Sequence, residues 1–429
     1  MKFANIIFDR NERLTIGDDM QLLAIENLYN NMGIKYDEVI RIPFHDLGNY
    51  DGEYAVLPIS FPLFGYNHDL AVTQFSPKII PVFLALSTLS QNYSKEDLDY
   101  LRRFEPIGCR DLHTMEGLRK NNILAYLNGC MTATFPNKRI DECKKDREKI
   151  FCIDVPDSFR QYIPEDIIKN CIFMSHTFYP EELPDGPEAK AKELYEMYIR
   201  EAKMIVTTRL HGALPCIAAG IPVIMFKKNL SFRFTGIDSL FHIYTEDEYD
   251  KINWDPDPVI YEEHKKKVID TASKRIKDTY RKYEDIFDIS SFYESREPKH
   301  YFVEFYDNSI AFIKNNFKKE ENFEYALWGV TQTAEAVNGY IKKNYPNARL
   351  AGVIDKSKDI NFLGVDTVRK EWIKDKKDVF CFVCTGAAIK EAYEYFDSIK
   401  HNKFYQCCED GNRHEKEGAY KNMYRNVEY

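Results

Sequence analysis

Arg209 and His211 lie in the part of the chain whose residue types are best suited to chemistry, residues 206–224. The apolar residues before Arg209 predict a buried strand, and the small residues after His211 predict a short helix that begins near Gly212. Pro215 would then fall in the first turn, where a missing N–H costs nothing. Free N–H groups at a helix start attract anions, and a basic side chain beside them strengthens that attraction. The segment therefore predicts an anion site at the carboxyl end of a parallel strand.

A second arginine stands in a similar context. Arg110 and Asp111 follow a short apolar stretch, and Thr114 comes where a helix would begin. Thr114 is expected to cap that helix. An anionic ligand explains Arg110 better than a structural role does, with a salt bridge to Asp111 as the alternative. For Arg209 the corresponding alternative is a buried ion pair, and for His211 it is a cap of the following helix.

Three shorter pieces carry weaker signals. Gly17 and Asp18 form a loop before an apolar-periodic stretch, where glycine permits close backbone approach and Asp18 either caps the helix or binds substrate hydroxyls. His176 follows an apolar strand, and Arg233 follows the strand after Pro222. Each piece is weak alone, and together they are consistent with one polar site.

These segments resemble the polysaccharide pyruvyl transferase family from about residue 10 to residue 240. The matching patterns are R-L-H between a strand and a small-residue helix, R-D-x-x-T before a helix, and G-D-x-x-Q near the N-terminus. The first of these is the most specific. Members of this family move the enolpyruvyl unit of phosphoenolpyruvate onto two hydroxyls of a hexose, which forms a ketal and releases phosphate.

The resemblance implies a GT-B type fold, in which two Rossmann-like domains face each other across a cleft. It places Asp18 and Arg110, with Gly17, on one wall, and His176, Arg209, His211 and Arg233 on the other. The arginines would bind the phosphate and carboxylate of the donor, because planar guanidinium groups pair bidentately with both anions. His211 is the expected general acid, since imidazole titrates near neutral pH, and His176 is the next candidate.

Two other functions fit the same residues. A GT-B glycosyltransferase that uses a nucleotide sugar is one, because a fold does not fix a reaction. A non-catalytic protein that binds sugars or nucleotides in capsule assembly is the other. The expected acceptor is a hexose in an exopolysaccharide or its lipid-linked precursor. We expect no metal and no cofactor besides the donor, because no histidine and carboxylate cluster has convincing ligand spacing.

Composition limits the remaining possibilities. The 429 residues carry a net charge of −9, which argues against a nucleic-acid partner. We find neither a leader nor an apolar run long enough to span a membrane, so the expected location is the cytoplasm, with peripheral membrane association or homo-oligomers as options. The ten cysteines are scattered through apparent strands, and Cys381 and Cys384 are expected to be buried rather than to bind zinc.

Strand and helix patterns alternate along the chain, which predicts an α/β fold with parallel sheets. A helix after Gly17 should end at Gly33. A fresh strand–helix–strand unit begins near Tyr325, where the glycine pattern of a dinucleotide site is degraded and Asp355 ends the second strand. The predicted divisions are 1–145 and 146–290 for the transferase, with the phosphoenolpyruvate site in the second, then a linker at 291–321 and an accessory Rossmann-like domain at 322–429.

Overall fold

The computed structural model describes residues 1–8, 14–64, 75–139, 147–291, 306–356 and 360–408. The chain divides into two compact units, Met1–Tyr280 and Arg281–Tyr429. The predicted boundary near residue 145 falls inside the first unit and stays a prediction.

The first unit is a mixed α/β structure. Its strands are β1 (Lys2–Ile7), β2 (Leu14–Thr15), β3 (Val39–Pro43), β4 (Ala55–Ile59), β5 (Pro62–Phe64), β6 (Ile79–Phe83), β7 (Ser87–Thr88), β8 (Ile107–Cys109), β9 (Ala125–Leu127), β10 (Lys149–Ile153), β11 (Cys171–Met174), β12 (Thr177–Phe178), β13 (Ala202–Thr207), β14 (Val223–Phe226) and β15 (Ile243–Tyr244). Its helices are α1 (Gly17–Met32), α2 (Lys95–Arg102), α3 (Leu112–Lys120), α4 (Glu165–Ile168), α5 (Pro187–Glu201), α6 (Leu210–Ala218) and α7 (Glu262–Ser291), the last of which begins in this unit.

Two parallel sheets form the framework of the first unit. One has the strand order β3-β1-β4-β6, and the other has the order β11-β10-β13-β14-β15. Every pairing within these two sheets is parallel. The inner strand β4 and the edge strand β6 are buried along their whole length, as expected for strands covered on both faces. The predicted parallel α/β architecture is confirmed.

A short antiparallel pairing joins the start of α1 to the second sheet. Thr15 in β2 lies opposite Thr177 in β12, and the backbone N–H of Ile16 donates to the carbonyl of His176 at 3.1 Å. The helix α1 begins at the next residue and ends at Gly33, whose φ of 77° is left-handed, so the predicted glycine stop is confirmed. Gly17 and Asp18 are thus the first residues of α1 rather than a loop, and they lie beside residues that follow β11.

Helix α6 begins earlier than the sequence pattern predicts. The N–H groups of Gly212 and Ala213 already donate to the carbonyl of Arg209, so the helix starts at Leu210 rather than near Gly212. Pro215 consequently lies inside the helix and not in its first turn. Its ring nitrogen cannot donate to the carbonyl of His211, four residues earlier.

The second unit contains one sheet with the strand order β18-β19-β17-β16-β20-β21. Its elements are α8 (Ala311–Asn316), β16 (Glu324–Trp328), α9 (Gln332–Asn344), β17 (Arg349–Ile354), β18 (Asn361–Phe362), β19 (Val365–Val368), β20 (Phe380–Val383), α10 (Ile389–Ile399) and β21 (Phe404–Gln406). The predicted strand–helix–strand start is confirmed by β16, α9 and β17. Cys381 and Cys384 are buried, as predicted. Of the predicted linker, residues 292–305 lie outside the described residues, and α8 lies within its remainder.

The loop after β16 is closed by local contacts. The Thr331 side chain caps α9 by accepting from the N–H of Ala334 at 3.2 Å. The carboxylate of Asp355, which follows β17, accepts a hydrogen bond from the N–H of Val330 at 2.9 Å. The second contact holds this loop against its own sheet.

Candidate functional site

The candidate site of the first unit lies where the start of α6 meets the start of α1 and the 3-10 helix Met131–Thr134. His211, the second residue of α6, is at the centre of this junction. Its Nε2 atom lies 3.7 Å from Sγ of Cys130. On the other side, a Cβ atom added to Gly17 would lie only 2.9 Å from Nδ1 of His211. The imidazole is therefore held between the Gly17 backbone and the Cys130 thiol.

The close approach of Gly17 to His211 leads to a stability prediction. Gly17→Ala should lower the free energy of unfolding by about 1–3 kcal/mol, because the new methyl group overlaps the imidazole. In a His211→Ala background the same change should cost much less, because only Cβ of residue 211, at 3.3 Å, remains close to the new methyl group and alanine favours a helix over glycine. Chemical denaturation of the four proteins in this double-mutant cycle measures the coupling. Equal effects in both backgrounds would show that the imidazole does not limit residue 17.

Arg209 forms an ion pair, which was the alternative to a ligand-binding role, but the pair lies at the surface and is not buried. Its Nε donates to Oδ2 of Asp154 at 2.8 Å and its Nη2 donates to Oγ1 of Thr177 at 3.1 Å. The Arg209 side chain is 44% exposed. The guanidinium is thus oriented by these partners and still open to solvent, which suits a group that meets a soluble anion.

Asp154 is a site residue that the sequence analysis missed. It follows β10 with a left-handed φ of 48°, and its Oδ1 accepts from the Ser175 hydroxyl at 2.6 Å. Burial alone would raise the pKa of this carboxyl, but the hydrogen bond from Ser175 and the charge of Arg209 outweigh burial and lower the pKa. One feature of the sequence could have identified Asp154. It is an acid at the carboxyl end of an apolar strand, and the neighbouring strand of the sheet ends just before Arg209.

Arg110 is completely buried. Its Nη2 donates to the Ser87 hydroxyl at 2.7 Å, and its Nε lies 3.8 Å from the Asp111 carboxylate. Within the described part of the chain, Nε and Nη1 have no hydrogen-bond partner. A buried guanidinium with two unsatisfied nitrogens is costly unless a ligand supplies the acceptors. Arg110 therefore has the features of a residue that binds an anion.

The helix after Arg110 is capped differently from the prediction. The Asp111 side chain, not that of Thr114, caps α3 by accepting from the N–H of Thr114 at 2.9 Å. The hydroxyl of Thr114 instead accepts from the N–H of Thr88 at 2.9 Å. Asp111 is thus fixed by the helix cap and by the Ser87 hydroxyl at 2.7 Å.

Cys130 is the second site residue that the sequence analysis missed. It is buried, and its Sγ lies 3.1 Å from Oγ1 of Thr132 as well as 3.7 Å from His211. Burial raises the pKa of a thiol, but the hydrogen bond and charge of His211 and the charge of Arg110 lower that of Cys130 to about 7. A lone cysteine before a methionine gives no signal in one sequence, and the contact with His211 depends on the fold.

His176 is 1% exposed, and its Nε2 lies 2.8 Å from the hydroxyl of Tyr198. Burial, aided by the charges of Arg209 and His211 and opposed by that of Asp154, lowers the pKa of His176 to about 4. Its imidazole is therefore neutral near pH 7. That state suits a hydrogen-bonding role better than the role of a proton donor.

The neutral state of His176 predicts a pH dependence of stability. Its pKa is lower in the folded chain than in the unfolded one, so its contribution is complete above about pH 6.5 and is lost as the pH falls toward about 4, by up to about 3 kcal/mol. In urea denaturation between these pH values, the free energy of unfolding should fall more steeply with decreasing pH for the parent than for His176→Gln. The matched control is His45→Gln, which removes an exposed imidazole. Equal slopes in the parent and His176→Gln would contradict a buried neutral His176.

Asp18 and Arg233 complete the set of predicted site residues. Asp18 lies in the first turn of α1 and accepts from Nε2 of Gln21 at 3.2 Å, and it does not cap the helix, whose cap residue is Ile16. Burial lowers the pKa of Arg233, and the charge of Asp18 opposes that effect, which places the two charges near each other.

One further cation was not predicted. Burial and the charge of Arg209 both lower the pKa of Lys227, the residue that follows β14. The described residues contain no group of three or more histidine, cysteine or carboxylate side chains that could hold a metal ion. Nor is any described helix both long and apolar enough to cross a membrane.

The site segments coincide with a match to a known family. The family model of polysaccharide pyruvyl transferases matches residues 16–227. This part of the chain belongs to the polysaccharide pyruvyl transferase family. The family segment includes Gly17, Arg110, Cys130 and His211, and Arg233 follows it. Membership supports a transferase of polysaccharide biosynthesis with a glycan acceptor.

Other comparisons add little to this assignment. A search of curated proteins gives no match. Among solved structures, the chain is similar to a functionally uncharacterized protein from Klebsiella pneumoniae subsp. pneumoniae NTUH-K2044, with 15% identity, a TM-score of 0.37, and coverage of 56% of this chain and 89% of that one. At this TM-score the likeness bears on neither the fold nor the reaction of the pyruvyl transferase segment.

Proposed function

We propose that the chain transfers the enolpyruvyl unit of phosphoenolpyruvate onto two hydroxyls of a hexose, forming a pyruvate ketal and releasing phosphate. The observation that carries this proposal is the buried guanidinium of Arg110 beside the Cys130–His211 contact, within the family segment. A small trianionic donor supplies acceptors for the nitrogens that lack them. No nucleotide is needed to account for these groups.

The arginines have distinct tasks in the proposed reaction. Arg110 binds one anionic group of the donor from the buried side, and Arg209 binds from the solvent side, oriented by Asp154. Arg233 and Lys227 add positive charge around them. Fixed cations in a partly water-excluded site stabilise the charge that develops on the departing phosphate. The proposed reaction therefore needs no metal ion.

His211 is the proposed general acid. It donates a proton to the methylene carbon of the donor, which leaves an oxocarbenium-like carbon for the first sugar hydroxyl to attack. The neighbouring hydroxyl then displaces phosphate and closes the ketal. Asp18 is the proposed contact for sugar hydroxyls, because its carboxylate accepts hydrogen bonds near Arg233. The proposal also includes the facing GT-B arrangement of the two sheets, a cytoplasmic location and a glycan or lipid-linked acceptor.

The test is incubation of the full chain with phosphoenolpyruvate and a galactoside acceptor, in the presence of a chelator. We expect release of phosphate that depends on both substrates, and a product whose mass has increased by one ketal-linked pyruvate. Transfer of a hexose from a nucleotide sugar, which adds a much larger mass, would support the glycosyltransferase alternative. Binding of either compound without turnover would support the non-catalytic alternative.

A further inference from the structure

Cys130 lies beside the proposed general acid but has no role in the proposed reaction. It stands immediately before the 3-10 helix Met131–Thr134, and both α1 and α6 pack against that helix. Its Sγ lies 3.7 Å from Nε2 of His211 and 3.1 Å from the hydroxyl of Thr132. Only 3% of the residue is exposed. A buried thiol next to an imidazole is the arrangement in which a proton is shared between sulfur and nitrogen.

A second observation points to a ligand at this place. Arg110 has no exposed surface, and its Nε and Nη1 lack hydrogen-bond partners among the described residues. Its positive charge acts on the sulfur of Cys130. The thiol therefore lies in the field of a cation whose own hydrogen bonds are incomplete, where an anionic donor would complete them.

We propose that Cys130 is the positioning residue of His211: its thiolate pairs with the imidazolium and holds Nε2 in place. This inference rests on the proposed function for its catalytic consequence, but the ion pair itself exists without substrate. Thr132 stabilises the thiolate by donating its hydroxyl hydrogen.

The charged groups around the pair favour this state. His211 faces Cys130 from α6, and Arg110 faces it from the residue after β8. Tyr261, which precedes α7, also interacts electrostatically with Cys130. Helix α1 carries two carboxylates in its first turn, Asp18 and Asp19.

The proton balance of the proposed step is simple. The N–H bond of the His211 imidazolium breaks and a C–H bond forms at the methylene carbon. The electron pair of the carbon–carbon double bond becomes the new C–H bond. The first sugar hydroxyl then bonds to the electron-deficient carbon and gives its proton back to His211. The second hydroxyl bonds to the same carbon as the C–O bond to phosphate breaks, its proton leaves with the phosphate, and the thiolate of Cys130 is unchanged throughout.

The ion pair is tested by ultraviolet titration of thiolate absorbance, as the difference between the full-length parent and Cys130→Ser. We expect a titration midpoint near pH 7 that belongs to Cys130. In a His211→Gln background the same difference should show its midpoint at least about one pH unit higher, because the cationic partner is gone. Cys216→Ser is the matched control, since Cys216 is buried on α6 and burial raises its pKa to about 12. A parent and Cys130→Ser that superimpose below about pH 9 would overturn the pair.

The catalytic consequence is tested by the pH profile of turnover. Cys130→Ser should lower kcat by about tenfold with little change in KM for phosphoenolpyruvate, and should change the pH profile of kcat, because the thiolate that pairs with His211 is gone. Cys216→Ser should keep the profile of the parent. An unchanged profile in Cys130→Ser would overturn the positioning role. Absence of turnover in the parent would instead contradict the proposed function, and the ultraviolet titration would still decide whether the pair exists.

Discussion

His211→Gln is expected to lower turnover by about 100-fold or more while the affinity for phosphoenolpyruvate changes little. Glutamine keeps a polar group of similar reach beside Gly17 and Cys130, but it cannot donate a proton as an acid near neutral pH. Because the donor's charge is bound by the arginines and not by His211, the substitution should affect the chemical step alone. Initial rates and calorimetric titration with phosphoenolpyruvate on the same folded variant measure the two effects.

Arg209→Lys is the matched variant for this comparison. It keeps the positive charge but loses the planar fork, so donor binding should weaken by about 1–3 kcal/mol. If His211→Gln turns over like the parent, the acid lies elsewhere, and the neutral state of His176 makes that residue a poor substitute. If both variants bind and react like the parent, the segment is structural and the site assignment is wrong.

Arg110→Met should abolish most donor binding without unfolding the protein. Methionine has a similar length and fills the buried space, but it offers no charge and no donor. We expect the dissociation constant of phosphoenolpyruvate to rise by at least about 30-fold, which corresponds to about 2 kcal/mol for a buried charge-assisted contact. Calorimetry and the shift of Tm produced by phosphoenolpyruvate both measure this loss.

The stability of Arg110→Met without donor separates a ligand site from a structural ion pair. Loss of the 3.8 Å contact with Asp111 destabilises the fold, but removal of a buried cation with two unsatisfied nitrogens offsets that loss. Because the buried Asp111 carboxylate loses its cation, the free energy of unfolding should still fall, by up to about 3 kcal/mol. Arg119→Met, which removes a guanidinium of α3 bound to the carbonyl of Ala125, is the control that should keep donor binding. Strong destabilisation with normal donor affinity would assign Arg110 to the fold alone.

Where local chemistry decides structure, the sequence was informative. Gly33 ends α1 because only a left-handed residue closes the helix there, and apolar runs such as Ile79–Phe83 became buried parallel strands. The start of α6 was misplaced because its cap residue, Arg209, contributes no side-chain cap hydrogen bond. A pattern that depends on capping side chains has nothing to detect at such a start.

The site was predictable only in part, for a related reason. Arginine and histidine at strand ends are unusual enough to be noticed individually, and the structure brings them together. Cys130 and Asp154 gain their properties from partners 81 and 55 residues away in the chain, His211 and Arg209. No spacing rule within one sequence covers such separations, because they are fixed by the order of strands in the sheets.

The left-handed backbone of Asp154 has a consequence for how this chain can diverge. Asparagine would keep the conformation and lose the charge that orients Arg209, whereas glutamate would keep the charge and not the conformation. Glycine would remove the acceptor for Ser175. None of these three replacements keeps the conformation, the charge and the acceptor together, so a deep mutational scan selecting for the proposed transfer should find position 154 almost invariant.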